Sequence, residues 1–185
     1  MNIKFSPEIS AIAGYAREEA MRTGSYGIGT DHLVLGVLRH GDNAACRILE
    51  GLGIAGDELK EHIDSRIMKD AAVPYDDFNK IRLTRSAQSV LNMAAFEALK
   101  RGSKEIAPEH MLLAVVRSEC SATEYLNLHG VNAENVCDYI RDNFRKTEEE
   151  LPEEPGMPVK DIAGALGEQL GNVIDSVNRK SNIFS

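Results

Sequence analysis

Apolar residues recur along most of this chain at the three- and four-residue spacing of amphipathic helices, and the alternation typical of strands is weak. Near the N-terminus, Ser6 and Pro7 form the expected start of a helix, and Gly24 marks its end. Thr30 is predicted to cap a second helix, and two more helices are expected before residue 70. The first apolar stripe consists of Ile9, Ile12, Ala13, Ala16 and Ala20.

The same series of residues then occurs a second time. The stretch Phe5–Ile54 is echoed about 78 residues later by Leu83–Val131, and Glu19, His32 and Arg39 return as Glu97, His110 and Arg117. A supersecondary unit repeated in one frame indicates two copies that pack together. The sequence therefore predicts an all-α fold of two tandem four-helix repeats, eight helices in total, with repeat one at about 5–69, a connector at 70–82 and repeat two at about 83–146.

The composition changes after residue 146. Residues 147–160 combine acids with prolines, which is typical of a solvated tether. Residues 161–185 are predicted to form an amphipathic tail helix, which could dock on its own body, on a second copy in a homo-oligomer, or on a partner protein. Its apolar stripe consists of Ile162, Leu166, Leu170, Val173, Ile174 and Val177.

Charge and cysteine content narrow the function classes. A net charge of −8 and a pI near 5.2 argue against nucleic acid or an anionic membrane as a partner. The chain carries neither a signal-peptide pattern nor an apolar run long enough for a membrane span, so we expect a cytoplasmic protein. Cys46, Cys120 and Cys137 are widely spaced, which favours reduced packing thiols over disulfides or a zinc site.

Two segments carry a family resemblance. Residues 28–39 (IGTDHLVLGVLR) and 106–117 (IAPEHMLLAVVR) resemble the twice-repeated motif of the Clp N-terminal domain, which stands at the front of ClpC- and ClpA-type Hsp100 AAA+ unfoldases. The resemblance covers about Phe5 to Arg145. It implies a double four-helix module whose partners are a Clp AAA+ unfoldase, the Clp protease ring, adaptor proteins or substrate proteins.

Signatures of catalysis are missing from the sequence. The chain has no Gly-Lys pair, so it lacks the phosphate-binding loop of an AAA+ ATPase module. It also lacks a His-Glu-x-x-His motif and a Gly-x-Ser-x-Gly elbow. We therefore expect a non-catalytic protein without cofactor or metal, and a free-standing domain rather than part of an unfoldase.

Two non-enzymatic functions stay open. The chain could be a binding module that recruits substrates or adaptors to an unfoldase. Alternatively, it could be a stand-alone accessory factor that regulates Clp protease assembly or activity through its tail. An affinity for Clp components that disappears with the tail would favour the second function.

The resemblance also implies a candidate site. In ClpC-type domains, acids at the positions of Asp31 and Glu109 help to bind phosphoarginine, and Thr30 lies beside the first of them. A helix N-terminus attracts the phosphate and a carboxylate pairs with the guanidinium. The alternative is that both acids only stabilise their helix dipoles. This chain departs from the family pattern with the shorter Asp31 and with Ala107-Pro108, and the adjacent His32 and His110 are expected to serve packing.

Overall fold

The computed structural model describes residues 3–144, and within them the two repeats contain four α-helices each. Repeat one comprises α1 (Pro7–Arg22), α2 (Thr30–His40), α3 (Ala44–Gly51) and α4 (Gly56–Ile67). Repeat two comprises α5 (Arg85–Lys100), α6 (Pro108–Val115), α7 (Ser121–Leu128) and α8 (Ala133–Asn143). The all-α prediction is confirmed, and the predicted tail helix lies outside the described residues.

The helices begin where short polar side chains satisfy the first free amides. The Ser6 hydroxyl accepts a hydrogen bond from the Ile9 amide at the start of α1, and the Thr84 hydroxyl accepts one from Ala87 at the start of α5. Thr30 does not play this role, because Gly29 is the capping residue of α2 and Thr30 is already helical. The prediction that Thr30 caps this helix is therefore wrong.

Four strands of two residues each join the repeats, and the hydrophobic pattern did not predict them. Strand β1 (Lys4–Phe5) pairs in parallel with β4 (Glu105–Ile106), and β2 (Gly27–Ile28) pairs in parallel with β3 (Arg82–Leu83). In the 78-residue repeat, β1 corresponds to β3 and β2 to β4. The first strand of each repeat therefore pairs with the second strand of the other repeat. This reciprocal pairing relates the two copies by an approximate twofold symmetry.

The connector between the repeats is ordered against repeat one. It contains a 3₁₀ helix over Tyr75–Lys80 and buries Val73 and Ile81. Arg17, only 2% exposed, donates two hydrogen bonds to the Phe78 carbonyl oxygen, at 3.2 and 2.9 Å, and its guanidinium lies 4.6 Å from the centre of the Phe78 ring. A buried cation of α1 thus fixes the connector.

The two repeats share one hydrophobic core. Ile12, Leu33, Leu91 and Met111 come from four helices of both repeats, and they all surround the same small central void. Because each repeat covers apolar surface of the other, neither buries its stripes alone. None of the helices within residues 3–144 is both long and apolar enough to cross a membrane.

Candidate functional site

The exchanged strands place the start of the first helix of one repeat beside the start of the second helix of the other. The Ser6 amide donates to the Ile106 carbonyl oxygen at 2.9 Å, and the equivalent Thr84 amide donates to the Ile28 carbonyl oxygen at 3.0 Å. Two related surfaces result. We name them the Glu109 site (Ser6, Glu8 and Glu109) and the Asp31 site (Thr84, Ser86 and Asp31).

The paired histidines cap the helices that carry these acids. Nδ1 of His32 accepts a hydrogen bond from the Gly29 amide at 2.9 Å, and Nδ1 of His110 accepts one from the Ala107 amide at 3.0 Å. Nε2 of His32 therefore carries the proton and donates to the Thr23 hydroxyl at 2.8 Å. The prediction that both histidines serve packing is confirmed by their burial, and the capping hydrogen bonds are a role that it did not include.

Both imidazole rings accept a backbone hydrogen bond at Nδ1 and are therefore neutral in this structure. Burial lowers the pKa of His32 below its ordinary value, and it lowers the pKa of His110 to about 4. Arg101 stands where repeat one has Thr23, and its positive charge further lowers the pKa of His110. The neutral form is the one that can accept the capping hydrogen bond.

Asp31 is engaged inside the protein. Its carboxylate oxygens accept hydrogen bonds from the Ser121 amide at 3.2 Å and the Ala122 amide at 2.8 Å, both at the start of α7. The local capping residue of α7 is Cys120, whose side chain makes no capping hydrogen bond. Asp31 therefore caps a helix of the other repeat from a distance.

Glu109 lies in different surroundings. Within residues 3–144 the only hydrogen-bond donor to its half-buried carboxylate is its own amide. Burial raises the pKa of Glu109, the negative Glu8 raises it further, and Arg47 opposes both effects. Helix α3 does not need Glu109 as a cap, because the Asn43 side chain accepts from the Cys46 amide at 3.0 Å. Of the two acids, Glu109 is thus the one whose carboxylate no neighbouring residue uses.

Thr30 occupies the first position of α2, where repeat two has Pro108. Its side chain is buried, and its hydroxyl has no hydrogen-bond partner among the residues that the structure describes. Thr30 therefore adjoins Asp31, but its hydroxyl is buried and does not face solvent.

A family model describing the Clp repeat (R) N-terminal domain matches residues 4–129, which is more than half of the chain. The chain belongs to the Clp N-terminal domain family. The match spans repeat one, the first three helices of repeat two and both candidate sites.

Relatives with longer chains carry this Clp N-terminal domain as a small part. The chain is 31% identical over 130 residues to the negative regulator of genetic competence ClpC/MecB of Bacillus subtilis, and 31% identical over 130 residues to the chaperone protein ClpB of Oceanobacillus iheyensis. In both cases the aligned region is 70% of this chain and 16% of the relative.

Solved structures show the same fold. The N-terminal domain of the ClpD chaperone from Arabidopsis thaliana superimposes with a TM-score of 0.60 and 21% identity, covering 77% of this chain and 98% of that domain. The Hsp104 N-terminal domain from Candida albicans gives a TM-score of 0.60 and 15% identity, covering 75% of this chain and 90% of that domain.

A duplicated ion pair in this Clp N-terminal domain was missed in the sequence. Glu19 on α1 pairs with Arg39 on α2 at 3.3 Å, and Glu97 on α5 pairs with Arg117, which lies in the turn after α6. Both acids are almost fully buried. The signal was present, since all four residues repeat in frame. A buried carboxylate needs a cation nearby, so the duplication predicts an interhelical pair.

Repeat one also contains an open groove. It has a volume of about 480 Å³ and lies between the end of α2, helix α3 and the start of α4. Its lining combines leucine and isoleucine side chains, most of them buried, with charged ones such as Glu19, Arg39 and Lys60. We call it the repeat-one groove.

The cysteines are unpaired and half-buried rather than fully buried. Cys46 donates to the Val37 carbonyl oxygen at 3.3 Å, and burial raises the pKa of this thiol and of Cys120. Within residues 3–144 no group of three or more His, Cys, Asp or Glu side chains is arranged to hold a metal ion.

Proposed function

We propose that this chain is a protein-binding module of the Clp unfoldase–protease system, which recruits substrate or adaptor proteins to an AAA+ unfoldase and has no ATPase of its own. The observation that carries the proposal is the family match over residues 4–129, which includes repeat one and the first three helices of repeat two. The names of related proteins point in the same direction, since one is the ATP-binding subunit ClpC of the ATP-dependent Clp protease of Staphylococcus aureus.

The absence of a Gly-Lys pair from the sequence supports a non-catalytic role. Three of the charged side chains that line the repeat-one groove, Glu19, Arg39 and Lys60, support it as well. Glu19 pairs with Arg22 and Arg39, and Lys60 pairs with Asp64, so these groups neutralise one another. Such mutual pairing is typical of structural networks rather than of an acid and a base available for catalysis.

The test is affinity capture from native lysate with the full chain as bait. Recovery of Clp unfoldase subunits or their adaptors supports the proposal, and an eluate without any Clp component contradicts it. A second bait carries Leu166→Asp and Leu170→Asp. If Clp components are recovered only by the unmodified bait, the chain is instead an accessory factor that acts through its tail.

A narrower proposal concerns phosphoarginine. The Glu109 carboxylate accepts no hydrogen bond from a neighbouring residue, stands in the first turn of α6 and has Arg47 near it, whereas the Asp31 carboxylate is occupied by two amides. An incoming guanidinium could pair with Glu109 while its phosphate meets helix N-terminal amides. We therefore propose that the Glu109 site, and not the Asp31 site, binds phosphoarginine.

This proposal is tested by titrating the isotope-labelled full chain with phosphoarginine, and with arginine as the matched control. We expect chemical-shift changes at Ser6 and Glu109 that are absent around Thr84 and Asp31. Glu109→Gln should abolish them, because the guanidinium loses its anionic partner. Equal shifts at both sites, or no shifts at either, would contradict the assignment.

A further inference from the structure

The sulfur of Cys137 on α8 lies between two guanidinium groups. It accepts a hydrogen bond from Nη2 of Arg101 at 3.4 Å and another from Nη2 of Arg117 at 3.8 Å. A thiolate is the form of cysteine that attacks a disulfide, and the N–H groups of cations are strong hydrogen-bond donors to an anion. Because Cys137 is only half-buried, its surroundings are those of a thiol available for reaction.

The other two cysteines have different surroundings, although they are half-buried as well. The Cys46 thiol donates to the Val37 carbonyl oxygen at 3.3 Å, and the Cys120 sulfur lies 3.2 Å from the Thr123 hydroxyl. Burial raises the pKa of both thiols, which favours their protonated and unreactive form. What distinguishes Cys137 is that two cations donate directly to its sulfur.

The Cys137 cluster, which consists of Glu97, Arg101, Arg117 and Cys137, is incompletely paired. Within residues 3–144, Glu97 is the one acid that pairs with either arginine. Glu97 is only 1% exposed, yet its Oε2 accepts no hydrogen bond from any described residue. The 3.7 Å between this oxygen and Nε of Arg101 is too long for one. The cluster thus holds surplus positive charge beside a buried oxygen that lacks a donor, and both indicate a missing ligand.

Repeat one pairs the equivalent cation with more acids of its own. Arg39, the counterpart of Arg117, contacts both Glu18 and Glu19. Phe96 replaces Glu18 in repeat two and removes one of these acids. The surplus positive charge is therefore a property of repeat two and does not follow from the duplicated framework.

We propose that Cys137 is a modification site, at which this chain forms a mixed disulfide with a low-molecular-weight thiol that carries carboxylates. The carboxylates of the adduct pair with Arg101 and Arg117 and supply the negative charge that the cluster lacks. A peptide-like thiol also carries N–H groups, which are the kind of partner that Oε2 of Glu97 lacks. This proposal does not depend on the association with Clp components.

The reaction is a thiol–disulfide exchange that balances without a further oxidant. Cys137 gives up its proton, and its sulfur attacks one sulfur of the small disulfide. The new sulfur–sulfur bond forms as the old one breaks, and the leaving half departs as a thiolate that takes up a proton. The small disulfide is thus the oxidant, and each adduct releases one small thiol.

The test treats the folded full chain with oxidised glutathione, an acidic disulfide, and follows each cysteine by peptide mass spectrometry. We expect Cys137 to react about tenfold faster than Cys46 or Cys120, and this advantage should shrink at high ionic strength. Cystamine, a disulfide with two ammonium groups, is the matched reagent and should not show the preference for Cys137. Equal rates at the three cysteines, or the same preference with cystamine, would overturn the proposal.

Two variants separate recognition from simple accessibility. Arg101→Gln removes the closer cation, so we expect it to slow the reaction of Cys137 with oxidised glutathione by roughly tenfold and that with cystamine less. Arg141→Gln is the control, since it removes a cation of the same helix that pairs with Asp138, and it should change neither rate. Equal effects of the two variants contradict the proposal. A variant that unfolded would be recognised by faster reaction at the other two cysteines.

Discussion

Repeat one and repeat two use the same framework for different purposes. Each has a histidine cap and a buried Glu–Arg pair at equivalent positions, yet Asp31 caps a helix of the other repeat while Glu109 accepts no hydrogen bond from any other described residue. Arg17 fixes the connector, and its counterpart is Ala95. The comparison teaches that the duplicated residues maintain the fold, while the unmatched ones determine what each surface can bind.

The first prediction concerns the closest approach of two helices. A Cβ at Gly36 would lie 2.6 Å from the Ile12 carbonyl oxygen, whereas repeat two accommodates Ala114 at the equivalent position. Gly36→Ala must therefore push α1 and α2 apart, and we expect it to lower the free energy of unfolding by about 3 kcal/mol. Urea denaturation measures the effect.

Gly56→Ala is the control, since its new methyl group meets only Leu38 at an ordinary distance. It should leave stability unchanged or raise it by about 0.5 kcal/mol. An equally small effect of Gly36→Ala would show that the helices of repeat one are no closer than those of repeat two.

The next largest effect is expected for Arg17→Ala, which gives repeat one the residue that repeat two has at this position. The Phe78 carbonyl oxygen loses two donors and its ring loses the cation, so we expect a loss of about 2–3 kcal/mol. Hydrogen exchange of Tyr75–Lys80 should accelerate. Arg66→Ala, which removes an exposed pair with Glu124, should change neither quantity measurably.

Acid should act on repeat two through His110. Its pKa of about 4 in the folded state lies below its ordinary 6.5, so the unfolded state binds the proton more readily between these values. The free energy of unfolding should therefore fall as the pH decreases from 6.5 towards 4, by about 3 kcal/mol for this group. Denaturation at a series of pH values measures the loss.

His110→Asn isolates this contribution. An asparagine at the same helical position can keep the cap, as Asn135 does when it accepts from the Asn132 amide at 2.9 Å in α8. The variant should therefore show a flatter pH dependence than the unsubstituted chain. An unchanged slope would mean that another group causes the acid sensitivity.

The smallest effects separate the two acids. Asp31→Ala removes the acceptor of the Ser121 and Ala122 amides, so it should cost about 1 kcal/mol. Glu109→Gln removes a half-buried charge that no neighbouring donor satisfies, so stability should change by less than about 0.5 kcal/mol. Equal losses in thermal denaturation would show that the two sites are not different.

Sequence reasoning predicted the number and order of the helices, since the stripes around Ile9, Leu33, Leu59 and their repeats are set by local spacing. It placed Ser6 correctly as the cap of α1. It failed at Thr30 because Gly29 and His32 cap this helix together: the ring nitrogen of His32 accepts a hydrogen bond from the Gly29 amide. This pair is not among the usual sequence signals of a helix start. The strands escaped notice because two residues are too few for a periodic pattern.

By itself, the sequence determined a duplicated all-α protein of the Clp N-terminal type, because helical periodicity, capping residues and an in-frame repeat are local properties of the chain. Only the tertiary structure decided that the repeats exchange strands, that Asp31 is occupied while Glu109 is not, and that a groove opens in repeat one. These features depend on residues such as Asp31 and Ser121 that are distant in sequence, and their approach is set by packing of the shared core.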